Sequence, residues 1–489
     1  MRKRNLITGI MLLGALTLAL PGALQKELIV DLRNESLNNA FMMVHQTLET
    51  YYPYTVYKKI DWDAARYDHI DLFSDQMTQS QWYIAMREYL LNTVHDGHLY
   101  YGSFEGPESN ASITESEIIS RRIGGSFGFR LIRDAQDQYR AFDLDESLKD
   151  QGIEEGDIVT RWNGVPIKEA LDQVDLTWAP PHSSSDNTEI ARCFLLTRAP
   201  VGENATVVFE RKQGSFELTL VAAPAPITSI YSSLYGSYKE SLELGRLYRW
   251  MEDERVAYLK LPKLFPDGVT PDAGFSAILE KTEIAVAAIR EKLMEWKALN
   301  PKGLVLDLRG SAGGWNLMGA RICELFDDEP QFYVRAEYYD PLELEWHSDL
   351  ADYTGTISTR GGRKVWDLPV IVLVDPRTVS ASEGLANYLQ RLPSIKIVGM
   401  FSSSGSYGNT GGVILLPRGY MISFPIGRNV DADGRVMIEN DFCGCCGVTP
   451  DYRVRPDLTE WKQLLHEGKD VELSYALRLL SGEDNVVTD

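Results

Sequence analysis

Two turns rich in hydroxyls and glycine are the part of this sequence best suited to chemistry. The first follows the apolar run Val370 to Val374 and reads Asp-Pro-Arg-Thr-Val-Ser-Ala-Ser-Glu-Gly, passing into a helical pattern at Ser380. A serine on such a strand-to-helix turn stands clear of the sheet edge. The unpaired N–H groups and positive dipole end of the helix behind it suit a developing oxyanion. Acyl transfer is the chemistry this arrangement serves. The alternative is a plain helix cap by Thr378, Ser380 or Ser382. The second turn, Asp-Leu-Arg-Gly-Ser-Ala-Gly-Gly-Trp-Asn, follows the strand pattern Leu304 to Leu308 and leads into a helix expected through Phe326. Gly313 and Gly314 there would let backbone amides approach a ligand closely.

Together, Asp-Leu-Arg-Gly-x-x-Gly-Gly and Ser-Ala-Ser-Glu resemble the signature of the tail-specific (C-terminal processing) serine peptidases, whose relatives include the tricorn core proteases and interphotoreceptor retinoid-binding protein modules. The resemblance implies that Ser380, three residues before Glu383, is the nucleophile and that Ser382 is not. It extends over most of the chain. Tyr52 to Asp63 and Leu90 to Leu99 are similar to the helical cap of tricorn-like members, and Ile438 to Tyr452 is similar to their closing Glu-x-x-Gly-Val-x-Pro-Asp motif with an insertion.

The choice of base separates the branches of this family. Bacterial processing peptidases carry a lysine about 25 residues beyond the serine, where this chain has Gly405. Lys396 lies in the preceding strand, and Arg418 cannot deprotonate at a useful pH, so a Ser-Lys dyad is not supported. Tricorn-like members use a histidine and a glutamate, which the resemblance carries onto His98 and Glu439. Imidazole has the pKa such a base needs, and an anion behind it fixes its tautomer. The resemblance further implies an oxyanion hole from the amides of Ala381 and of Gly313 or Gly314. In tricorn proteases a serine precedes the histidine and orients it; here Gly97 stands there, leaving that role open, with Asp96 as a substitute.

Each partner also has a structural reading. His98 could end a helix favourably, His95 competes with it locally, and the two could form a metal pair, although no third ligand is evident. Glu439 is one of 70 acidic residues and could be a surface carboxylate. No cofactor is expected.

The 489 residues exceed one core, and a net charge of −21 argues against nucleic-acid binding, which needs a basic face. Met1 to Asn5 is basic and Leu6 to Leu20 apolar, the pattern of a signal peptide ending near Ala23. Export to the periplasm or outside is therefore expected, with an uncleaved N-terminal membrane anchor as the alternative. Cys443, Cys445 and Cys446 crowd beside Glu439, where a local disulfide would shape the loop.

The expected fold is multidomain, α/β and α+β. Residues 1–23 form the leader. Residues 25–120 are helical, from the apolar spacing at Leu37 to Tyr52 and Gln79 to Val94. Residues 121–225 read as short strands, at Gly124 to Leu131, Tyr139 to Leu144, Ile158 to Trp162, Ala205 to Arg211 and Phe216 to Val221, and Leu148 to Ile167 resembles half of a PDZ domain. Ser126 to Phe129 is then the candidate carboxylate loop, with Phe127, Gly128 and Phe129 binding a peptide terminus. Residues 226–470 form the peptidase core, for which the resemblance implies a crotonase/ClpP-like ββα spiral, and 471–489 a tail. The expected partners are protein or peptide substrates. The resulting function is an exported serine endopeptidase with a Ser-His-Glu arrangement. Two competitors remain: a catalytically silent binder of peptides or apolar ligands on the same fold, and a PDZ scaffold.

Overall fold

The computed structural model describes residues 28–104, 114–179, 184–212, 214–227, 247–269, 275–350, 353–440 and 447–482. The N-terminal part runs β1 (Leu28–Asp31), α1 (Leu37–Tyr51), α2 (Trp62–His69), α3 (Gln79–Thr93) and β2 (Tyr100–Ser103). Ser36 caps α1, and Thr78 with Gln81 forms a reciprocal capping box on α3, so both helices begin where their orphan amides find side-chain oxygens. Phe41, Val44 and Leu48 recur at helical spacing and pack with Trp82, Tyr89 and the strand residues Ile414, Ile422 and Phe424.

The middle part is a six-stranded antiparallel sheet whose longer strands are β3 (Arg130–Arg133), β4 (Tyr139–Phe142), β5 (Ile158–Trp162), β6 (Asn204–Arg211) and β7 (Gly214–Val221). Helix α4 (Ser185–Leu196) lies beside β3, which is an edge of this sheet.

The third part holds β8 (Leu247–Met251), β9 (Val256–Lys260), α5 (Phe275–Lys297), β10 (Gly303–Asp307), α6 (Asn316–Cys323) and β11 (Phe332–Asp340). It continues through the short strands β12 (Glu345–His347) and β13 (Thr356–Ser358), then β14 (Val370–Leu373), α7 (Ala381–Gln390), β15 (Ile395–Gly399), β16 (Asn409–Leu415), β17 (Tyr420–Val430), β18 (Tyr452–Arg453) and α8 (Val471–Ser481). One sheet has the order β8-β9-β10-β14-β15-β18 and is parallel except for the β8–β9 pair. Its inner strands are buried on both faces, which is why Leu304 to Leu308 and Val370 to Val374 read as unbroken apolar runs. Leu304, Leu306 and Val372 meet α5 and α7, whereas Val305, Ile371 and Leu373 meet α4 and α8. The turns carrying Gly313 and Ser380 leave adjacent strands, β10 and β14, at their carboxyl ends, where open parallel sheets place their ligands.

Several boundaries differ from the sequence expectation. Residues 28–104 do not fold as a separate helical domain: β1 pairs with β16 and β2 with β17, and the two parts bury one common core. The strand expected over 124–131 is broken at Phe127 to Phe129. The expected tail after 470 begins with a full helix, α8, anchored because buried Arg309 bonds both Asp470 and Glu472. The leader, Ala23, and the trio Cys443, Cys445 and Cys446 lie outside the described residues. Cys193 and Cys323 are buried free thiols.

Candidate active site

Ser380 caps the N-terminus of α7 with φ 61° and ψ −133°, a backbone conformation costly for a residue with a Cβ. Two bonds to its amide hold it there. Ser380 N–H donates to the Ser406 carbonyl (2.9 Å) and toward the Glu383 carboxylate (3.1 Å). Glu383 also accepts from Ser403 Oγ and from the amides of Gly405 and Ser406 at 2.6 to 3.0 Å, so a single buried carboxylate ties the serine turn to the 403–406 loop. Burial pushes that carboxyl up to about 8. The amides of Gly405, Ser406 and Ser380 can only donate to it, and they hold both oxygens as acceptors. Ser382 is fully buried, and its hydroxyl pairs with Ser311 Oγ at 2.7 Å.

The glycine turn lies directly against the serine. Gly313 has φ 78°, and a Cβ there would stand 2.5 Å from Ser380 Cβ and 3.2 Å from Ser380 Oγ. Gly314 has φ 139° and sits so close to Leu264 that a Cβ would meet its carbonyl oxygen at 2.4 Å. The turn is fixed by Leu264 N–H to Gly313 O and Trp315 N–H to Leu264 O, both 2.7 Å. Among the described residues the amides of Gly313, Gly314 and Ala381 have no protein acceptor. They are donors left over for a ligand oxygen.

His98 follows α3 in a turn and not on a helix, because the Asp96-Gly97 pair breaks the helical path. It comes to the serine through Ser406. The Ser406 hydroxyl meets His98 Nδ1 at 2.5 Å, while the same residue's carbonyl takes the Ser380 amide. No hydrogen bond joins Ser380 Oγ to His98 Nε2 among the described residues, a looseness common in resting hydrolases. Burial lowers the His98 pKa below 6.5, with Asp96 opposing that shift and Lys58 adding to it. His95 is exposed, and its carbonyl accepts from Lys58 Nζ at 2.6 Å.

Glu439 is fully buried but faces a cation. Its Oε1 accepts from Lys58 Nζ (2.9 Å) and its Oε2 from the Tyr407 amide (2.8 Å). A left-handed Ile438 (φ 65°) turns it inward, with Glu439 N–H bonded to Met437 O at 2.6 Å. Burial pushes the Glu439 carboxyl up to about 7, Lys58 working against that. Lys58 itself was not singled out from the sequence, although it lies in the aromatic Tyr52–Asp63 motif. Aromatic rings of Tyr52 and Tyr54 face its ammonium at 5.8 and 5.4 Å. Ser406 carried no signal at all, because its loop was read only for a lysine. Lys396 is exposed on β15. Among the described residues no group of three or more His, Cys, Asp or Glu could hold a metal ion.

The residues 255–454 match the model of Peptidase family S41. The chain carries a family S41 serine peptidase domain. Its fold resembles mature CPAF, with a TM-score of 0.57 and 13% identity over 93% of this chain and 99% of that one. Mature CPAF complexed with lactacystin gives 0.55 and 14% over 92% and 99%. A putative peptidase from Parabacteroides merdae gives 0.49 and 16% over 93% and 100%. No curated protein matches the sequence. The mixed α/β multidomain architecture is thus that of mature CPAF along nearly the full chain.

Phe127, Gly128 and Phe129 are arranged differently from the expectation of an open carboxylate loop. Phe127 N–H is spent on Thr197 O and Gly128 N–H on Ser126 Oγ, each at 3.1 Å, and both phenyl rings pack on Trp162 at 5.3 and 6.2 Å. Two of the three amides therefore close the domain's own backbone. Beside this loop, an opening of about 180 Å³ lies between β3, α4 and the core, lined among others by Leu131, Arg133, Ile190, Phe401 and Arg455.

Proposed function

We propose that this S41 peptidase is an exported endopeptidase that cleaves protein chains with Ser380 as nucleophile and His98 as general base, Glu439 being the buried acid of the same pocket. The observation that carries the reading is the contact of Gly313 with Ser380: an amide-bearing turn pressed against a serine held at positive φ by two bonds. His98 Nε2 takes the Ser380 proton as Oγ attacks the peptide carbonyl. The carbonyl oxygen, now negative, sits at the amides of Ala381 and Gly313 or Gly314. The C–N bond then breaks, and the amine leaves with the proton from His98. Water, deprotonated by the same imidazole, releases the acyl group from Ser380. Such preorganised donors typically contribute about 100- to 1000-fold each.

For substrate recruitment we assign the β3 edge and its opening beside α4, where an extended peptide would add a strand between Leu131 and Ile190. Phe127 and Phe129 support that edge from inside. Export rests on the basic and apolar leader alone.

The test is Ser380→Ala in the full chain, with its fold checked by a thermal melt. Loss of digestion of unfolded casein and of labelling by a fluorophosphonate is expected. Undiminished digestion by this variant would refute the proposal.

A further inference from the structure

We propose that Asp96, acting through Ser406, holds His98 in the tautomer that accepts the Ser380 proton, while Lys58 keeps Glu439 out of that role. The assignment rests on Ser380 and His98 being the reacting pair, and it follows from counting protons. Asp96 is buried, and its Oδ1 accepts from the His98 amide (2.8 Å) and from Ser406 Oγ (3.1 Å), with Oδ2 accepting from Tyr52 OH (2.7 Å). Burial alone would raise this carboxyl; the charge of Lys58 and the donors from the His98 amide and Tyr52 oppose it, and it lies below its usual range. An ionised carboxylate only accepts. The single Ser406 proton is therefore directed to Asp96, and Ser406 Oγ, 2.5 Å from His98 Nδ1, must receive that nitrogen's proton. A neutral imidazole has one N–H. With it on Nδ1, the lone pair is on Nε2, which has no partner among the described residues and is the nitrogen a general base needs.

Glu439 stands outside this chain of protons. Both of its oxygens are occupied, by Lys58 Nζ and the Tyr407 amide, and no bond links it to His98 among the described residues. Lys58 Nζ lies 3.7 Å from Asp96 Oδ2, so it also separates the two carboxylates. The charged groups bearing on the His98 ring are thus Asp96 and Lys58, with Glu439 beyond the lysine. Ser406 supplies from a loop 308 residues away the hydroxyl that Gly97 lacks beside the histidine. Its position is set by Glu383, which binds the Ser406 amide.

The direct readout is the imidazole ¹⁵N spectrum of the histidine-labelled full chain, with the His98 signals identified by their loss in His98→Gln. A neutral His98 protonated on Nδ1 is expected; protonation on Nε2 would overturn the proposal, and this arm needs no folded Asp96 variant. The kinetic arm compares Asp96→Ala with Glu439→Gln on unfolded casein. Truncation removes the acceptor of the Ser406 proton, which then turns toward Nδ1 and favours the Nε2–H tautomer. A fall in kcat of about 10³- to 10⁴-fold is expected, the size seen for a wrong-tautomer substitution in a serine protease, with KM little changed and the ¹⁵N pattern reversed. Glu439→Gln should lose about 10-fold or less in kcat. The opposite order of the two variants would overturn the assignment. An inactive Ser380→Ala with a fully active Asp96→Ala would sink this inference alone, whereas an active Ser380→Ala would sink the proposed function.

Discussion

Gly313→Ala is the sharpest probe of the pocket because the structure fixes what the added methyl meets. Its Cβ would lie 2.5 Å from Ser380 Cβ and 2.8 Å from Val379 O. Carbon atoms at rest in contact stand about 3.5 to 4.0 Å apart, so one of the two turns has to move by roughly 1 Å. Neither yields easily: Ser380 is held by Ser406 and Glu383, and Gly313 by Leu264. An alanine at φ 78° adds a backbone cost of about 1–2 kcal/mol. A 1 Å misplacement can remove about 100-fold in rate, and a lost oxyanion donor about 100- to 1000-fold. The expected result is a kcat lowered by about 100- to 1000-fold with a folded protein whose melting temperature falls by a few degrees. The assay is steady-state hydrolysis of unfolded, fluorescently quenched casein, with the melt recorded on the same sample. Parental kcat in this variant would show that the glycine turn does not border the reacting carbonyl, and the reasoning would fail.

Ser382→Ala should leave casein hydrolysis within a few fold of the parent while lowering unfolding free energy by about 1–2 kcal/mol, because Ser311 loses its buried partner; loss of activity as deep as in Ser380→Ala would contradict the assignment. The acid limb of kcat/KM should lie below pH 6.5, since burial depresses the His98 pKa and keeps the imidazole a free base at lower pH. The accompanying stability has the same sign: it is complete above the unfolded value of 6.5 and is lost as pH falls through the folded pKa. Glu439, pushed up to about 7, acts in the opposite sense, its folded form favoured at low pH and its contribution lost as pH rises through that region. Urea titrations of parent and Glu439→Gln from pH 5 to 8 should show that downward trend with pH in the parent and a weaker one in the variant.

Much of the candidate site is legible in the sequence because its parts are local. Ser380, Gly313 and Gly314 each sit at the end of a buried parallel strand, and such strands announce themselves as continuous apolar runs followed by turn residues. The strand Ile158 to Trp162 was read to the residue, and the helices at Leu37 and Gln79 to within one residue at their C-termini, since caps and periodicity are written in neighbouring positions. Helix α8 was missed because its place depends on Arg309, over 160 residues earlier. The N-terminal segment was read as its own domain for a similar reason. Nothing local in Leu28–Asp31 or Tyr100–Ser103 says that their partners are β16 and β17.

The partnership around His98 belongs to this second kind. By itself the sequence determined which groups can do chemistry, since a side chain's protons and lone pairs are intrinsic to it, and it determined the turns that expose them. Only the tertiary structure decides which carboxylate the hydroxyl beside the imidazole reaches. On paper the resemblance names Glu439 as the acid and leaves Asp96 as a substitute for the orienting serine, but hydrogen bonds act over about 3 Å, and the fold brings Ser406 to Asp96 and Lys58 to Glu439.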